Sequence, residues 1–191
     1  IKTLYLRVIK TTRDEIKTLD KRDYEKTWKA YTDLKPVKSW SINLPDLQDF
    51  QEHAIEIKID GLPNGIYFIL ASIDPGFSLN KNIIAKQQTY VSRISYLHTN
   101  TNDYYVLDRD NGLPLANAPV QFWESKYNYT SSRYEEIKTE KYTTDKNGFF
   151  KLKENKEYRN FLLQVNYGAD ELFMDESVYP GYYNSYVTEK E

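Results

Sequence analysis

The sequence predicts an all-β protein of two tandem β-sandwich domains, the first carrying a short helical insertion. Three observations predict it. Apolar segments of strand length recur between polar turns, and one stretch changes to a helical period. Aromatic residues make up 15% of the 191, with 18 tyrosines among them, and tyrosine suits half-exposed strand faces. The turns at Asn111-Gly112 and Asn147-Gly148 each lie between apolar strands, the pattern of a hairpin-like corner.

The elements follow in order. Residues 1–10 read as a strand with Leu4, Leu6 and Val8 on one face. From Asp20 to about Leu34 the period changes, with Tyr24, Trp28 and Tyr31 at helical spacing. Asp20 is the expected N-cap, Trp28 the expected contact with a sheet, and Lys35-Pro36 the stop. Strands are expected at 37–44 and 54–59, where Ile55, Ile57 and Ile59 alternate with charged residues. The apolar run Ile66–Ala71 reads as a central buried strand, and residues 83–91 as a closing one. The chain then starts again near Ser92, which predicts domains at 1–92 and 93–191. In the second, strands are expected at 94–97, 103–108, 115–123, 142–144, 149–152 and 161–167, with a last edge strand in 172–186. Residues 125–140 lack apolar periodicity and read as a loop or ragged hairpin. A fixed repeat is missing, which disfavours a solenoid or propeller.

Composition excludes several function classes. The formal net charge is −2, with no basic excess to neutralise phosphates, so nucleic acid is not an expected partner. No run approaches the roughly 20 apolar residues of a membrane-spanning helix. There are no cysteines, which removes disulfides, thiolate metal sites, cysteine nucleophiles and thioesters from this stretch. The chain opens on Ile1 within a strand pattern and its single methionine is Met174. The expectation is therefore an excised piece of a longer protein, for which a missing leader says nothing about export.

The candidate chemistry is sparse. His53 and His98, the two histidines, fall in different predicted domains without partners at metal spacing, and exposed roles are expected for both. Asp108, Asp110 and Asn111 look like oxygen ligands, but a calcium loop needs alternating ligands and a distal bidentate Glu, whereas Leu113-Pro114-Leu115 follows here. Turn chemistry explains these acids, and Asp145 to Gly148 likewise. No nucleophile elbow or singled-out carboxylate pair appears. The expectation is no catalytic, cofactor-binding or metal residues, no cofactor, and no enzyme activity. The tyrosines Tyr127, Tyr129, Tyr134, Tyr179, Tyr182, Tyr183 and Tyr186 admit two readings: an aromatic platform for glycan or protein, or the interface with a neighbouring domain. The second is favoured.

Two motifs carry a family resemblance. In the first, Asp108, Gly112, Pro114, Leu115, Ala116, Ala118 and Val120 match a strand ending in Asp, a glycine turn and an Ala-x-Ala-x-Val return. In the second, Thr144, Asp145, Gly148 and Phe150 match a Thr-Asp-x-x-Gly-hydrophobic turn. The pair resembles the macroglobulin-type domain of bacterial alpha-2-macroglobulin-like proteins. Upstream, Leu34 to Trp40, Leu62 to Tyr67 and Ala71 to Pro75 resemble the domain that precedes it in large members, with Val91-Ser92 at its end. The resemblance implies immunoglobulin/fibronectin-like sandwiches serving as non-catalytic scaffold and interaction domains of a protease inhibitor, a protease trap. It further implies an exported protein, periplasmic or membrane-anchored at the bacterial envelope. Its partners would be neighbouring domains of the same chain, and proteases for the full-length protein. The same motif pair also occurs in carboxypeptidase-regulatory-like, transthyretin-like modules. The alternative is therefore a carbohydrate- or protein-binding module of an exported bacterial surface protein.

Overall fold

The structure is a computed structural model that describes residues 2–19, 23–45, 48, 49, 51, 53–80, 82–99, 102–153 and 161–174. The chain divides into two compact units, Ile1–Val91 and Ser92–Glu191. No helix among the described residues is long and apolar enough to cross a membrane.

The first unit holds a four-stranded antiparallel sheet in the order β2-β1-β3-β4. Its strands are β1 (Thr3–Thr11), β2 (Lys38–Asn43), β3 (Gly65–Ser72) and β4 (Ala85–Val91). The apolar run predicted as central is β3, paired with β1 on one side and β4 on the other. Two helices follow β1: α1 (Arg13–Leu19) and α2 (Tyr24–Thr32). Ile9, Phe68 and Leu70 meet Tyr31 of α2, Phe77 and Ile84 in one buried cluster.

The helical insertion differs from expectation in three ways. The cap of α2 is Asp23, whose side chain accepts from the Lys26 amide at 3.0 Å; Asp20 lies outside the described residues. The main contact with the sheet is Tyr31, edge-on to Phe68 at 5.0 Å between centroids. Trp28 stacks edge-on against Tyr31 at 6.0 Å and is only partly buried. The third difference is α1, which the helical period did not predict. Its signal is local: Thr12 and Glu15 form a capping box, the Glu15 amide donating to Thr12 Oγ1 at 3.2 Å and the Thr12 amide to Glu15 Oε2 at 2.9 Å.

The strand expected at 54–59 is absent: this segment forms no ladder. Ile57 and Ile59 are half-buried while Ile55 is 42% exposed. The alternation therefore reports one-sided burial rather than strand pairing. Asp60, at its end, is ion-paired with Lys38 of β2.

The second unit is a sandwich of two antiparallel sheets, β11-β10-β7-β8 and β5-β6-β9. Its strands are β5 (Ile94–Thr99), β6 (Asp103–Asp108), β7 (Pro119–Asn128), β8 (Arg133–Thr143), β9 (Phe149–Lys151), β10 (Phe161–Tyr167) and β11 (Asp170–Phe173). Inward residues of both sheets make one core, with Tyr104 and Val106 from β6 against Val120 and Phe122 from β7 and Leu163 and Val165 from β10. Burying such aliphatic and aromatic side chains is worth about 1.5–3 kcal/mol each, before conformational entropy is counted.

The stretch expected to be a loop or ragged hairpin, 125–140, is instead a regular one: β7 pairs with β8 out to Asn128↔Arg133. Both faces of its outer part are solvated, so no apolar alternation marks it. Its register shifts between Gln121 and Trp123. There the buried Gln121 amide donates to the carbonyls of Phe122, Thr139 and Glu140 at 2.7–3.3 Å.

Candidate functional site

The two glycine corners fold onto each other. At the first, Asp108 Oδ1 accepts from the amides of Asp110 (3.0 Å) and Asn111 (3.3 Å), and Gly112 sits at φ +72°. Asp108 Oδ2 accepts from Arg93 at 2.8 Å, and the same guanidinium reaches Asp110 at 3.1 Å. At the second, Asp145 Oδ1 accepts from the amides of Asn147 (2.8 Å) and Phe149 (2.9 Å). These oxygens are occupied by backbone amides and an arginine, as turn-forming acids are. Among the described residues no group of three His, Cys, Asp or Glu side chains is disposed to hold a metal ion.

Thr144 ties the corners. Its hydroxyl donates to the Leu115 carbonyl at 2.6 Å and accepts from the Ala118 amide at 2.8 Å. The Val106 amide donates to the Gly148 carbonyl at 2.7 Å. Motifs thirty-odd residues apart in sequence thus become one hydrogen-bonded junction, a structural site with its polar atoms turned inward.

The histidines lie in different settings. His53 is exposed beside Asp49, its Nε2 at 2.8 Å from Oδ1. This contact, with the Gln51 amide second, holds the Asp49 carboxyl below its ordinary pKa. His98 is half-buried rather than exposed, stacked on Tyr104 at 4.4 Å and 13°. The ring offers imidazole a flat partner on the same strand pair.

Of the tyrosines singled out by sequence, Tyr127, Tyr129 and Tyr134 come together at the β7–β8 tip. Tyr127 meets Tyr129 at 5.1 Å and Tyr134 at 5.2 Å, both edge-on. Tyr129 is 87% exposed and Tyr134 74%. Tyr179, Tyr182, Tyr183 and Tyr186 lie outside the described residues. The tip itself is well fixed. Asn128 accepts from the amides of Thr130 (2.9 Å) and Ser131 (3.2 Å) and donates to Glu135 at 2.9 Å. Asn128 and the Ser131 hydroxyl together hold the Glu135 carboxyl below its usual range.

Each unit also carries a concavity that its side chains organise. In the first unit a cleft of about 520 Å³ lies between β1, β2 and the end of α2. It is organised by Arg7, whose guanidinium covers the Phe77 ring at 4.0 Å and donates to the Thr32 and Pro75 carbonyls at 3.3 and 3.4 Å. A cation at a helix C-terminus complements the helix dipole. In the second unit a hollow of about 370 Å³ is lined by Gln121, Lys138, Lys141, Tyr142, Gln164 and Asn166, among others. Sequence inspection missed both, because their residues come from segments distant in the chain.

No family model matches the chain, and no curated protein sequence matches it. Its fold does have counterparts. The architecture is that of macroglobulin-type β domains, as the described sheets and the solved structures agree. A crystal structure of native alpha-2-macroglobulin from Escherichia coli spanning domains NIE-MG1 matches with a TM-score of 0.56 and 13% identity, over 92% of this chain and 84% of that one. A second, spanning domains MG0-NIE-MG1, matches with a TM-score of 0.56 and 12% identity, over 92% of this chain and 55% of that one. Both counterparts are stretches of a protein with several domains.

Proposed function

We propose that the chain is a pair of non-catalytic scaffold and interaction domains of an alpha-2-macroglobulin-like protease inhibitor. Residues 1–92 would be the counterpart of the NIE domain and residues 93–191 that of the MG1 domain. The observation that carries this reading is the length of the fold match, 92% of the chain against a stretch named for two successive domains. The corner chemistry supports it: the acids most like ligands are spent on backbone amides and Arg93. In this reading the protein is exported to the bacterial envelope, periplasmic or membrane-anchored. Its immediate partners are neighbouring domains, and proteases are the targets of the whole inhibitor.

The test uses the product of the complete reading frame that encodes this chain, incubated with a broad-specificity protease. Cleavage of a large protein substrate is expected to fall while cleavage of a small peptide substrate continues, because a trap excludes by size. The 191-residue chain alone is expected to leave both rates unchanged. Undiminished cleavage of the large substrate by the protease mixed with the whole product would refute the reading.

A further inference from the structure

We propose that the outer face of the β7–β8 hairpin is a binding strip for a linear polysaccharide chain. This goes beyond the scaffold reading and does not depend on it. The strip is defined by register. Trp123 lies opposite Lys138, Ser125 opposite Glu136 and Tyr127 opposite Tyr134, and residues two apart on a strand share a face. At the strand rise of about 3.3 Å per residue, the row from Trp123 to Tyr127 is roughly 13 Å long. It is open at one end onto the 370 Å³ hollow and ends at the other on the exposed rings of Tyr129 and Tyr134.

The chemistry of the strip favours a sugar chain over a protein. Polar groups interleave with the rings: Ser125 stands between Trp123 and Tyr127 along β7, and Lys138 lies over the edge of the strip with its amine 5.0 Å from the Trp123 ring centroid. Glu136 stands between Lys138 and Tyr134 along β8. A protein partner would need a dry apolar centre depleted of charge, and this interleaving provides none. A pyranose chain presents apolar C–H faces flanked by hydroxyls at every residue, matching rings flanked by the Ser125 hydroxyl, the Lys138 amine and the Glu136 carboxylate. The edge-on packing of the tyrosines and the hydrogen-bonded turn at Asn128 fix the tip before any ligand arrives, which reduces the ordering cost of binding.

The 191-residue chain is run by affinity electrophoresis in native gels containing hydroxyethylcellulose, a neutral polymer, or polygalacturonate, a carboxylated one. Retardation in at least one gel is expected. Y129A and Y134A, both at exposed rings, should bind about tenfold more weakly each, with unchanged thermal unfolding. Lys138→Gln should weaken retention by polygalacturonate more than by hydroxyethylcellulose if the chain bound is acidic, and both equally if it is neutral. Either result supports the strip. Migration unaffected by both polymers would overturn it. So would retardation that Y129A and Y134A leave unchanged, or sedimentation showing that these tyrosines instead drive self-association. None of these outcomes bears on the protease assay, so the two readings fail separately.

Discussion

The backbone of Gly148 faces that of Val106: the Val106 amide donates to the Gly148 carbonyl at 2.7 Å, and a Cβ placed on Gly148 would overlap the Val106 carbonyl oxygen. The same Cβ would lie 3.1 Å from Pro114 Cβ and 3.3 Å from the Leu115 amide nitrogen. With φ at +72°, two independent constraints exclude a side chain here, one of conformation and one of space. Gly148→Val is expected to destabilise the second unit by about 1–3 kcal/mol or more. A lowered thermal midpoint by circular dichroism would show this. Gly112→Ala is the control: it shares φ +72°, but its added Cβ meets nothing within 4 Å, so it should cost less.

Thr144 supplies the other half of the junction. Its hydroxyl is buried and has both roles filled, as donor to Leu115 and acceptor from Ala118. Thr144→Val keeps the shape and strands one carbonyl and one amide in the core. The expected loss is about 1–3 kcal/mol. Thr144→Ser keeps the hydroxyl and should recover most of it. Equal denaturant midpoints for the Val and Ser variants would contradict the hydrogen-bond account.

Legibility followed physical locality. The central strand β3, the corners at Gly112 and Gly148, and β10 were readable because each has its own apolar run or turn residues. The family motif was readable for the same reason, since Thr144, Asp145 and Gly148 must occupy fixed places in one turn. What the sequence concealed depends on pairing across distance. Ile57 and Ile59 alternate like a strand yet have no ladder partner. The β7–β8 extension is a strand pair without alternation, held by cross-strand pairs such as Tyr127 with Tyr134. The Tyr127, Tyr129 and Tyr134 cluster was visible as composition, but its placement on one hairpin tip required the register. The meeting of the two corners needed the tertiary fold.

The caps of the two helices give a prediction in the first unit. Neither helix is long, and isolated helices of such length are marginal, so their ends carry unusual weight. Thr12 satisfies the start of α1 through its exchange with Glu15, and Asp23 satisfies the start of α2. Thr12→Ala and Asp23→Ala should each cost about 0.5–2 kcal/mol. The loss should appear as faster amide exchange in the first turn of the affected helix. Unchanged exchange there would show that tertiary packing alone holds the helix.

Tyr104 makes the stability of the second unit sensitive to alkali. The ring is fully buried, stacked on Phe150 at 5.1 Å and on His98 at 4.4 Å, and its hydroxyl has no partner among the described residues. Burial pushes its pKa far above the ordinary phenol value of 10.0, with Tyr96 adding to the shift. Tyr67 in the first unit is shifted in the same direction by burial. The sign follows from linkage: the unfolded phenol ionises first, so the contribution is complete below pH 10 and is lost as pH rises from there toward the folded value. Thermal midpoints measured at about pH 8 and about pH 11 should fall for the native chain. Tyr104→Phe should fall less over that interval, because one titrating group is gone. At neutral pH the same variant should be as stable as the native chain or more stable by about 1 kcal/mol, since it removes an unpaired buried hydroxyl. A neutral-pH loss exceeding that margin would mean that the hydroxyl has a partner and that its burial is compensated.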